Sequence, residues 1–454
     1  MVLACGVSQV SPPMSNSTEM PEEHSVQFAM NSMSPLSPEL TEHSSLRDVG
    51  GQRCWRNLIA FWLLGLCNNY GYVVMLSAAH DVLSTETNYT EGQNTTHTVK
   101  NSTRDCNPLS TGAILLADIL PSLLVKLVAP FLPLFVHFRL LAVILLSCCG
   151  FLLVALSTVE WITILGVVAT SIASGLGELT ILAYSSGFDR EAISMWSSGT
   201  GGAGIFGAGS YAGLTALGLS PSQSLLIMLV VPVVMGVSFW CILQHPNQTL
   251  LLWCEAEVSV ETRDETGGED GANSSEIKYT RILWEKLCDI PPLLKYMIPL
   301  TAVYLFEYFI NQGLFELVYY PNIWIDHKEQ YRWLQLDYQI GVFISRSSAS
   351  FITIQKIWLL ALLQFVNVLL FVFEVLYFYI PSIWVVFVIV LWEGTLGGAA
   401  YVNTYYRISK EVLPAKREFS LSITTIADAV GIGIAGVLAI PVHNIICDLP
   451  RNIS

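Results

Sequence analysis

Long apolar runs along almost the whole chain are the feature that most constrains how this sequence can fold. A helix needs about 20 mostly apolar residues to cross the hydrocarbon core of a bilayer. Because backbone polar groups in lipid must be bonded within the protein, runs of this length are expected to form helices. The sequence therefore predicts an all-α polytopic membrane protein with about 11 transmembrane helices in a 6+5 arrangement. The eleven runs are 55–79, 110–136, 138–157, 161–184, 197–217, 222–243, 293–320, 333–350, 357–379, 381–404 and 419–446.

Charged residues are sparse and unevenly placed. They make up 13% of the 454 residues, and the net charge is −14, whereas a soluble chain has about a quarter charged residues. Residues 1–53 carry a net −4 and residues 244–292 a net −6, so two polar segments hold most of the negative charge. The surplus of acids also argues against nucleic acid as a partner. Five regions follow: a disordered cytoplasmic tail (1–54), a six-helix half (55–243), an acidic cytoplasmic loop (244–292), a five-helix half (293–447) and a short luminal tail (448–454).

The distribution of Lys and Arg predicts the orientation of the helices. With the N-terminus in the cytoplasm and eleven spans, sixteen of the 22 Lys and Arg residues fall on the cytoplasmic side and five on the other, as the positive-inside rule requires. Loop 80–109 then faces the lumen. It contains three N-x-Thr sequons, at Asn88, Asn94 and Asn101, which are predicted glycosylation sites. If 333–350 did not span the membrane, the C-terminus would move to the cytoplasm.

Two sorting signals are predicted around the end of the acidic loop. Tyr279-Thr-Arg-Ile282 has the form Tyr-x-x-bulky apolar, and Asp289 precedes the pair Leu293-Leu294 as in an acidic-dileucine signal. Both forms are read by clathrin-adaptor-type machinery. The alternative for both is an amphipathic stretch beside the membrane that enters the next helix.

Six segments resemble the battenin family of lysosomal membrane proteins, which is linked to juvenile Batten disease, a neuronal ceroid lipofuscinosis. They are WLLGLCNNYGYVVMLSAAHD (62–81), SIASGLGELT (171–180), WSSGTGGAG (196–204), EYFINQGLFEL (307–317), FISRSS (343–348) and EGTLGGAAYVNT (393–404). The resemblance implies a protein of lysosomes and late endosomes, related to the equilibrative nucleoside transporters and the major facilitator class, that clears glycerophosphodiesters and supports lysosomal homeostasis, including luminal pH. Chains of this family can begin with an acylatable Gly and end in a prenylated Cys box. This chain begins Met1-Val2, and seven residues follow its last cysteine.

Lys126 and Arg346 are the two bases that lie more than three residues from either end of a predicted membrane helix. A charged side chain at a helix centre costs roughly 2.5–3.5 kcal/mol on insertion scales, so it needs a partner or a function. For an anionic substrate, these two residues are predicted to bind the phosphate. In the alternative interpretations, Lys126 snorkels or pairs with Asp118, and Arg346 marks the cytoplasmic end of its helix.

Amide and carboxylate side chains form a second set of predicted site residues. Glu307, Asn311 and Gln312 make a polar stripe on an apolar helix, which predicts either a cavity lining or a helix–helix hydrogen bond. Asn68 and Asn69 occupy a comparable place in the first helix, and this fits two halves built as parallel repeats. The glycine-rich fourth, fifth, tenth and eleventh helices point to the same repeat. Small residues of this kind let helices pack closely and slide.

Several titratable side chains, three carboxylic acids and one histidine, are available to couple transport to protons in an acidic lumen. The coupling candidates are Glu178, Asp428, Glu393 and His80. His80 has the alternative of capping the first helix at the interface.

Ten cysteines are scattered without CxxC or Cys/His spacing, which argues against a zinc site, and no metal or cofactor is expected. Cys106 and Cys447 would be the two luminal cysteines in this topology, and a disulfide between them is predicted.

The sequence thus favours an alternating-access transporter of the lysosomal membrane. The alternatives are a membrane scaffold that recruits trafficking partners and an integral lipid-modifying enzyme. Against the enzyme alternative, the sequence has no recognisable set of catalytic residues at a suitable depth in the membrane.

Overall fold

The computed structural model describes residues 55–75, 111–157, 159–245, 281, 283–321, 323, 327–348 and 351–449. Within these ranges the regular secondary structure is helical throughout, and helix covers part of each of the eleven predicted segments. The prediction of an all-α polytopic fold is confirmed. The helices are α1 (Trp55–Met75), α2 (Thr111–Val128), α3 (Val136–Leu156), α4 (Glu160–Tyr184), α5 (Arg190–Ala216), α6 (Pro221–Ile242), α7 (Leu294–Phe309), α8 (His327–Ser347), α9 (Ile357–Tyr377), α10 (Ile383–Glu411), α11 (Pro414–Thr424) and α12 (Ile426–Asp448).

Helices α3, α6 and α9 lie at the periphery, and α2, α5, α8 and α12 join the halves. Among the described residues, eight spans are long and apolar enough to cross a membrane. α2, α5 and α8 lie outside those eight spans; α5 is glycine-rich, and α8 carries five charged residues. α2 packs on α12 and α5 packs on α8, which joins the two halves. Large apolar side chains on α3, α6 and α9 are exposed, as on a surface that contacts lipid.

Helix α7 departs from regular α-helical geometry in its second half. It continues as a π-helical segment, Ile310–Leu314, and then as a 3-10 turn, Phe315–Leu317. The wider turn of a π-helix shifts the side chains that follow it relative to the preceding α-helix, and such segments are frequent at functional sites. Asn311 and Gln312 both lie on this segment.

Helix crossings in the first half recur in the second half. The α1–α5 crossing corresponds to the α7–α12 crossing, since in each a glycine of the later helix faces backbone atoms of the earlier one. A Cβ at Gly199 would meet the Trp62 carbonyl oxygen and lie 3.0 Å from the Leu66 amide nitrogen, while a Cβ at Gly431 would lie 2.5 Å from the Thr301 carbonyl oxygen and 3.0 Å from the Leu305 amide nitrogen.

The crossing of α2 with α4 corresponds to that of α8 with α10 in the same way. A Cβ at Gly175 would lie 3.0 Å from the Ser122 Cα, and one at Gly398 would lie 3.1 Å from the Val342 Cα. Because α2–α12 and α5–α8 are also exchanged by this correspondence, the halves are related as parallel repeats, as the sequence suggested.

The close approach of α1 and α5 makes one glycine difficult to replace. We expect Gly199→Ala to lower the melting temperature of the detergent-solubilised protein, because its Cβ would collide with backbone of Trp62, which cannot rotate away. The matched control is Gly209→Ala on the same helix, where the added Cβ meets no atom within 4 Å. Alanine at position 209 should stabilise the helix by up to about 1 kcal/mol relative to glycine, because of its higher helix propensity. Equal melting temperatures for the two variants would contradict this account of the crossing.

Candidate functional site

Lys126 and Arg346 hold equivalent positions in the two halves. Lys126 lies four residues after Ser122 on α2, and Arg346 lies four residues after Val342 on α8. The correspondence of the α2–α4 and α8–α10 crossings therefore pairs the two bases. Both are buried, with 2% and 8% of their surface exposed. The central charge cluster, as we call it, consists of these two bases with Glu178, Asp428 and Tyr401.

Lys126 is ion-paired with two carboxylates from different helices. Its Nζ lies 2.6 Å from Glu178 Oε2 on α4 and 3.2 Å from Asp428 Oδ2 on α12. All three side chains are buried. Since burying one charge without a partner costs several kcal/mol, the three groups depend on one another. Lys126 joins the halves because Glu178 belongs to the first and Asp428 to the second.

Arg346 has no carboxylate partner among the described residues. Its Nη1 donates to Thr200 Oγ1 at 2.7 Å, and its Nη2 donates to the Tyr304 hydroxyl at 2.9 Å. The guanidinium carbon lies 4.1 Å from the centroid of the Tyr401 ring, a cation–π contact. Arg346 Nε is buried and has no hydrogen-bond partner in the described part of the chain. The guanidinium therefore keeps its positive charge and a free donor for an anion.

Tyr401 connects the two bases through Glu178. Its hydroxyl donates to Glu178 Oε1 at 2.7 Å, and Trp196 Nε1 donates to the Tyr401 hydroxyl at 3.2 Å. Tyr401 lies three residues after Gly398, and Glu178 lies three residues after Gly175, so these two partners are also equivalent positions of the repeats. The centre of the protein is thus nearly symmetric in position and asymmetric in charge.

A second polar cluster lies within the second half. Asn311 Nδ2 lies 3.5 Å from Glu393 Oε1, and Gln364 Nε2 donates to the same oxygen at 3.0 Å. Glu307 accepts a hydrogen bond from the Tyr338 hydroxyl. A Cβ at Gly397 would collide with the Glu307 carboxylate. All these side chains are buried, and we call Glu307, Glu393, Asn311, Gln364 and Asn367 the carboxyl–amide cluster.

The remaining amides of the predicted site lie apart from this cluster. Gln312 accepts a hydrogen bond from the Tyr331 hydroxyl at 3.5 Å. Asn68 donates to the Ser174 carbonyl oxygen at 3.1 Å, and Asn69 is half-buried. Asn68, Asn311 and Gln312 form hydrogen bonds within the protein, most of them between helices, in line with the helix–helix alternative for the polar stripe. A cavity lined by them stays a prediction.

Two interpretations of the sequence are wrong: one gave Lys126 the wrong ion-pair partner, and the other aligned the amides of the two halves in the wrong register. Lys126 does not pair with Asp118, because eight residues of helix separate their Cα atoms by about 12 Å and Glu178 and Asp428 reach Nζ instead. Both carboxylate oxygens of Asp118 are buried without a hydrogen-bond partner among the described atoms.

The helix crossings also align Asn68 with Glu307 rather than with Asn311, one helix turn away from the predicted pairing of amides. Arg346 lies in the last turn of α8, the position that its alternative interpretation gave it, but it is buried there.

Several predicted sites fall outside the described residues, namely His80, Asn88, Asn94, Asn101, Cys106, Tyr279 and Ile282. Leu293 is buried in the hydrophobic core, and Asp289 lies 2.5 Å from Lys416 Nζ. These contacts favour the alternative in which Leu293 and Leu294 begin the next helix. Cys447 is disulfide-bonded; its pairing with Cys106 stays a prediction.

Sequence reasoning missed the neutral partners of the charged residues. Thr200, Tyr304, Tyr338 and Tyr401 do not stand out in hydropathy, because phenols and hydroxyls are common in membrane helices. Gln364 and Asn367, three residues apart in an otherwise apolar segment, were a detectable signal of a buried polar face.

Two repeated helical halves joined around buried charges define the class of the protein, a polytopic membrane protein of two-half architecture. The human organic anion transporter MFSD10 (TETRAN) has a similar solved structure, with a TM-score of 0.56 at 11% sequence identity over 86% of this chain and 94% of that chain. The fold is therefore that of the major facilitator transporters.

The family follows from the sequence relatives. The model of the CLN3 protein family matches residues 59–449. Battenin of Canis lupus familiaris is 45% identical over 413 residues, which cover 87% of this chain and 92% of that protein. Protein BTN1 of Chaetomium globosum is 38% identical over 430 residues, which cover 86% and 88%. The chain belongs to the CLN3 protein family, and the resemblance noted in the sequence is confirmed.

Proposed function

We propose that the protein exports small organic anions, with glycerophosphodiesters as the substrate class, across the lysosomal and late endosomal membrane by alternating access. The observation that carries the proposal is Arg346, a buried guanidinium between the halves that forms no ion pair among the described residues. A phosphodiester supplies the anionic oxygens that this guanidinium lacks, and a planar fork of donors suits two of them at once. The N-terminus lies in the cytoplasm in this proposal.

The two halves are held together by contacts that a moving transporter must break. Lys126–Asp428, Glu178–Tyr401 and Arg346–Thr200 each join the first half to the second. A phosphate bound at Arg346 would lie near Lys126, because Tyr401 contacts Arg346 and bonds to Glu178, which is paired with Lys126. The phosphate would compete with Glu178 and Asp428 for the lysine. Substrate binding would thereby loosen the inter-half contacts. Glu307, Asn311 and Gln312, with Asn68 and Asn69, would orient the substrate or transmit the change.

The acidic loop and its Tyr279–Ile282 sorting signal would direct the protein to the endolysosomal membrane through adaptor proteins. In the alternative function, a membrane scaffold, this recruitment is the whole activity and no substrate moves.

Flux into proteoliposomes tests the proposal. We expect the purified protein to carry radiolabelled glycerophosphoglycerol, whose phosphate is negatively charged, and to leave the neutral polyol glycerol at the rate of protein-free liposomes. Recovered label should be chemically unchanged. No flux above protein-free liposomes would support the scaffold, and conversion of the label to a new compound would support an enzyme.

A further inference from the structure

The carboxyl–amide cluster contains two buried acids and, among its contacts in the described chain, no base. Glu307 is 1% exposed and Glu393 is 0% exposed. The side chains that contact them are amides and one phenol. Glu178 and Asp428, in contrast, share Lys126. Two carboxylates buried together, with no base ion-paired to either among the described residues, cannot both be ionised cheaply, because each disfavours the charge of the other.

Glu393 and Asn311 each have one side-chain oxygen without a hydrogen-bond partner among the described atoms. Asn311 Nδ2 faces Glu393 Oε1 at 3.5 Å, while Glu393 Oε2 and Asn311 Oδ1 are both buried without a hydrogen-bond partner among the described atoms. These two oxygens are acceptors and cannot bond to each other. One proton on Oε2 would make it a donor to Oδ1. The pair would then have two hydrogen bonds in a ring, the usual arrangement of a carboxylic acid with a primary amide.

The first half shows that packing does not require these acids. Glu307 is at the repeat position equivalent to that of Asn68 in the first half, and Glu393 is at the position equivalent to that of Thr170. Thr170 satisfies its hydroxyl locally, by donating to the Gly166 carbonyl oxygen at 3.1 Å. The equivalent helices therefore cross in the same way with two uncharged residues. The acid pair is an addition of the second half, and its cost calls for a function.

The other groups around the pair leave the proton on Glu393. From α8, Tyr338 bonds to Glu307. Arg346, the residue after Ser345, acts on Glu307 through its charge but forms no ion pair with it among the described residues. From α7, Tyr304 and Tyr308 stack with ring centroids 6.0 Å apart. From α9, Gln364 and Asn367 contribute amides, with Asn367 donating to Gln364 at 3.2 Å. Glu307 therefore has a phenol to stabilise its charge, and Glu393 has amides alone.

We propose that Glu393 carries an exchangeable proton, shared with Asn311, and that this proton is the coupling ion of transport. The coupling role of the proton rests on the proposed function. Water on one side of the membrane donates the proton to Glu393 Oε2, where it bonds to Asn311 Oδ1. After the halves rearrange, Glu393 returns the proton to water on the other side. The π-helical segment that holds Asn311 is the element whose shift would break the ring and release the proton.

Infrared difference spectroscopy tests the proton site without transport. When detergent-solubilised protein is taken from alkaline to acidic buffer, we expect a carbonyl band of a protonated carboxylic acid that Glu393→Gln removes. Asn311→Ala keeps the carboxyl group and should shift the band, since the ring is lost; this variant serves if Glu393→Gln folds poorly. Glu374→Gln is the matched control. Both Glu374 oxygens accept hydrogen bonds, from the Tyr320 hydroxyl and the Ile380 amide, each at 2.8 Å, so its replacement should keep the band. A band unchanged in Glu393→Gln would overturn the proposal.

Proteoliposomes with a trapped pH dye test the coupling. We expect glycerophosphoglycerol influx to move protons in the wild type. Glu393→Gln should retain exchange of labelled for unlabelled substrate and lose both proton movement and accumulation driven by a pH gradient. Substrate flux without proton movement in the wild type would overturn the coupling while leaving the proposed function intact. Absence of flux in every protein would contradict the proposed function, and the infrared band would then decide the proton site alone.

Discussion

Replacing Arg346 by alanine is expected to abolish flux of an anionic substrate while leaving the protein folded. A hydrogen bond to a charged group contributes about 1.5–3 kcal/mol, so losing even one such bond weakens substrate binding by roughly 10- to 150-fold. The fold is expected to survive because Arg346 forms no ion pair among the described residues, and no carboxylate loses its partner. Substrate affinity in proteoliposomes and the melting temperature in detergent measure the two effects.

One further variant separates charge from geometry at this position, and a second one elsewhere serves as the control. Arg346→Lys keeps the charge but loses the planar fork and the stacking on Tyr401, so we expect an intermediate loss of affinity. Lys295→Ala removes an exposed base that lies 3.4 Å from Glu411, and flux should stay at the wild-type level. Wild-type flux in Arg346→Ala would remove the main support for anion binding at the centre.

Replacing Lys126 by alanine is expected to have the opposite result, loss of folded protein. Lys126→Ala leaves Glu178 and Asp428 buried side by side without their common base. Removing one partner of a buried ion pair typically costs 3–5 kcal/mol, which is a large part of the stability of a folded domain of about 5–15 kcal/mol. Yield and melting temperature in detergent give the measurement.

Neutralising the partners provides the control for Lys126. The triple variant Lys126→Ala, Glu178→Gln, Asp428→Asn has no unpaired charge, so it should recover a substantial part of the lost melting temperature. Lys126→Arg keeps the cation and should stay folded. If Lys126→Ala were as stable as the wild type, the ion pairs would contribute nothing, and the equivalent positions of Lys126 and Arg346 would not differ in role as proposed.

The sequence already identified the helices and the unusual residues within them. Apolar runs of about 20 residues can only be satisfied as helices in lipid, and eleven predicted segments each contain helix in the structure. Lys126, Arg346, Glu178, Glu307, Glu393 and Asp428 stand out because a charge in such a run is costly. The same reasoning gave wrong partners, since it could compare only residues close in the chain, such as Asp118 with Lys126.

The repeat shows where sequence similarity misleads. Asn68-Asn69 and Asn311-Gln312 look alike as letters, but the glycine crossings align Asn68 with Glu307. Backbone approach between helices fixes this register, and it depends on where small residues allow contact. A local pattern of amides carries no information about the register in which the helices of the two halves align.

The sequence by itself determined the membrane class, the helices, the family and the few charges that the interior must accommodate. The tertiary structure decided what each charge does. It placed the carboxylate of Asp428, 302 residues away, against Lys126, and gave the equivalent Arg346 hydroxyls and an aromatic ring instead of an acid. The physical reason is that a buried charge is defined by its nearest neighbours, and between two packed halves those neighbours come from helices far apart in the chain.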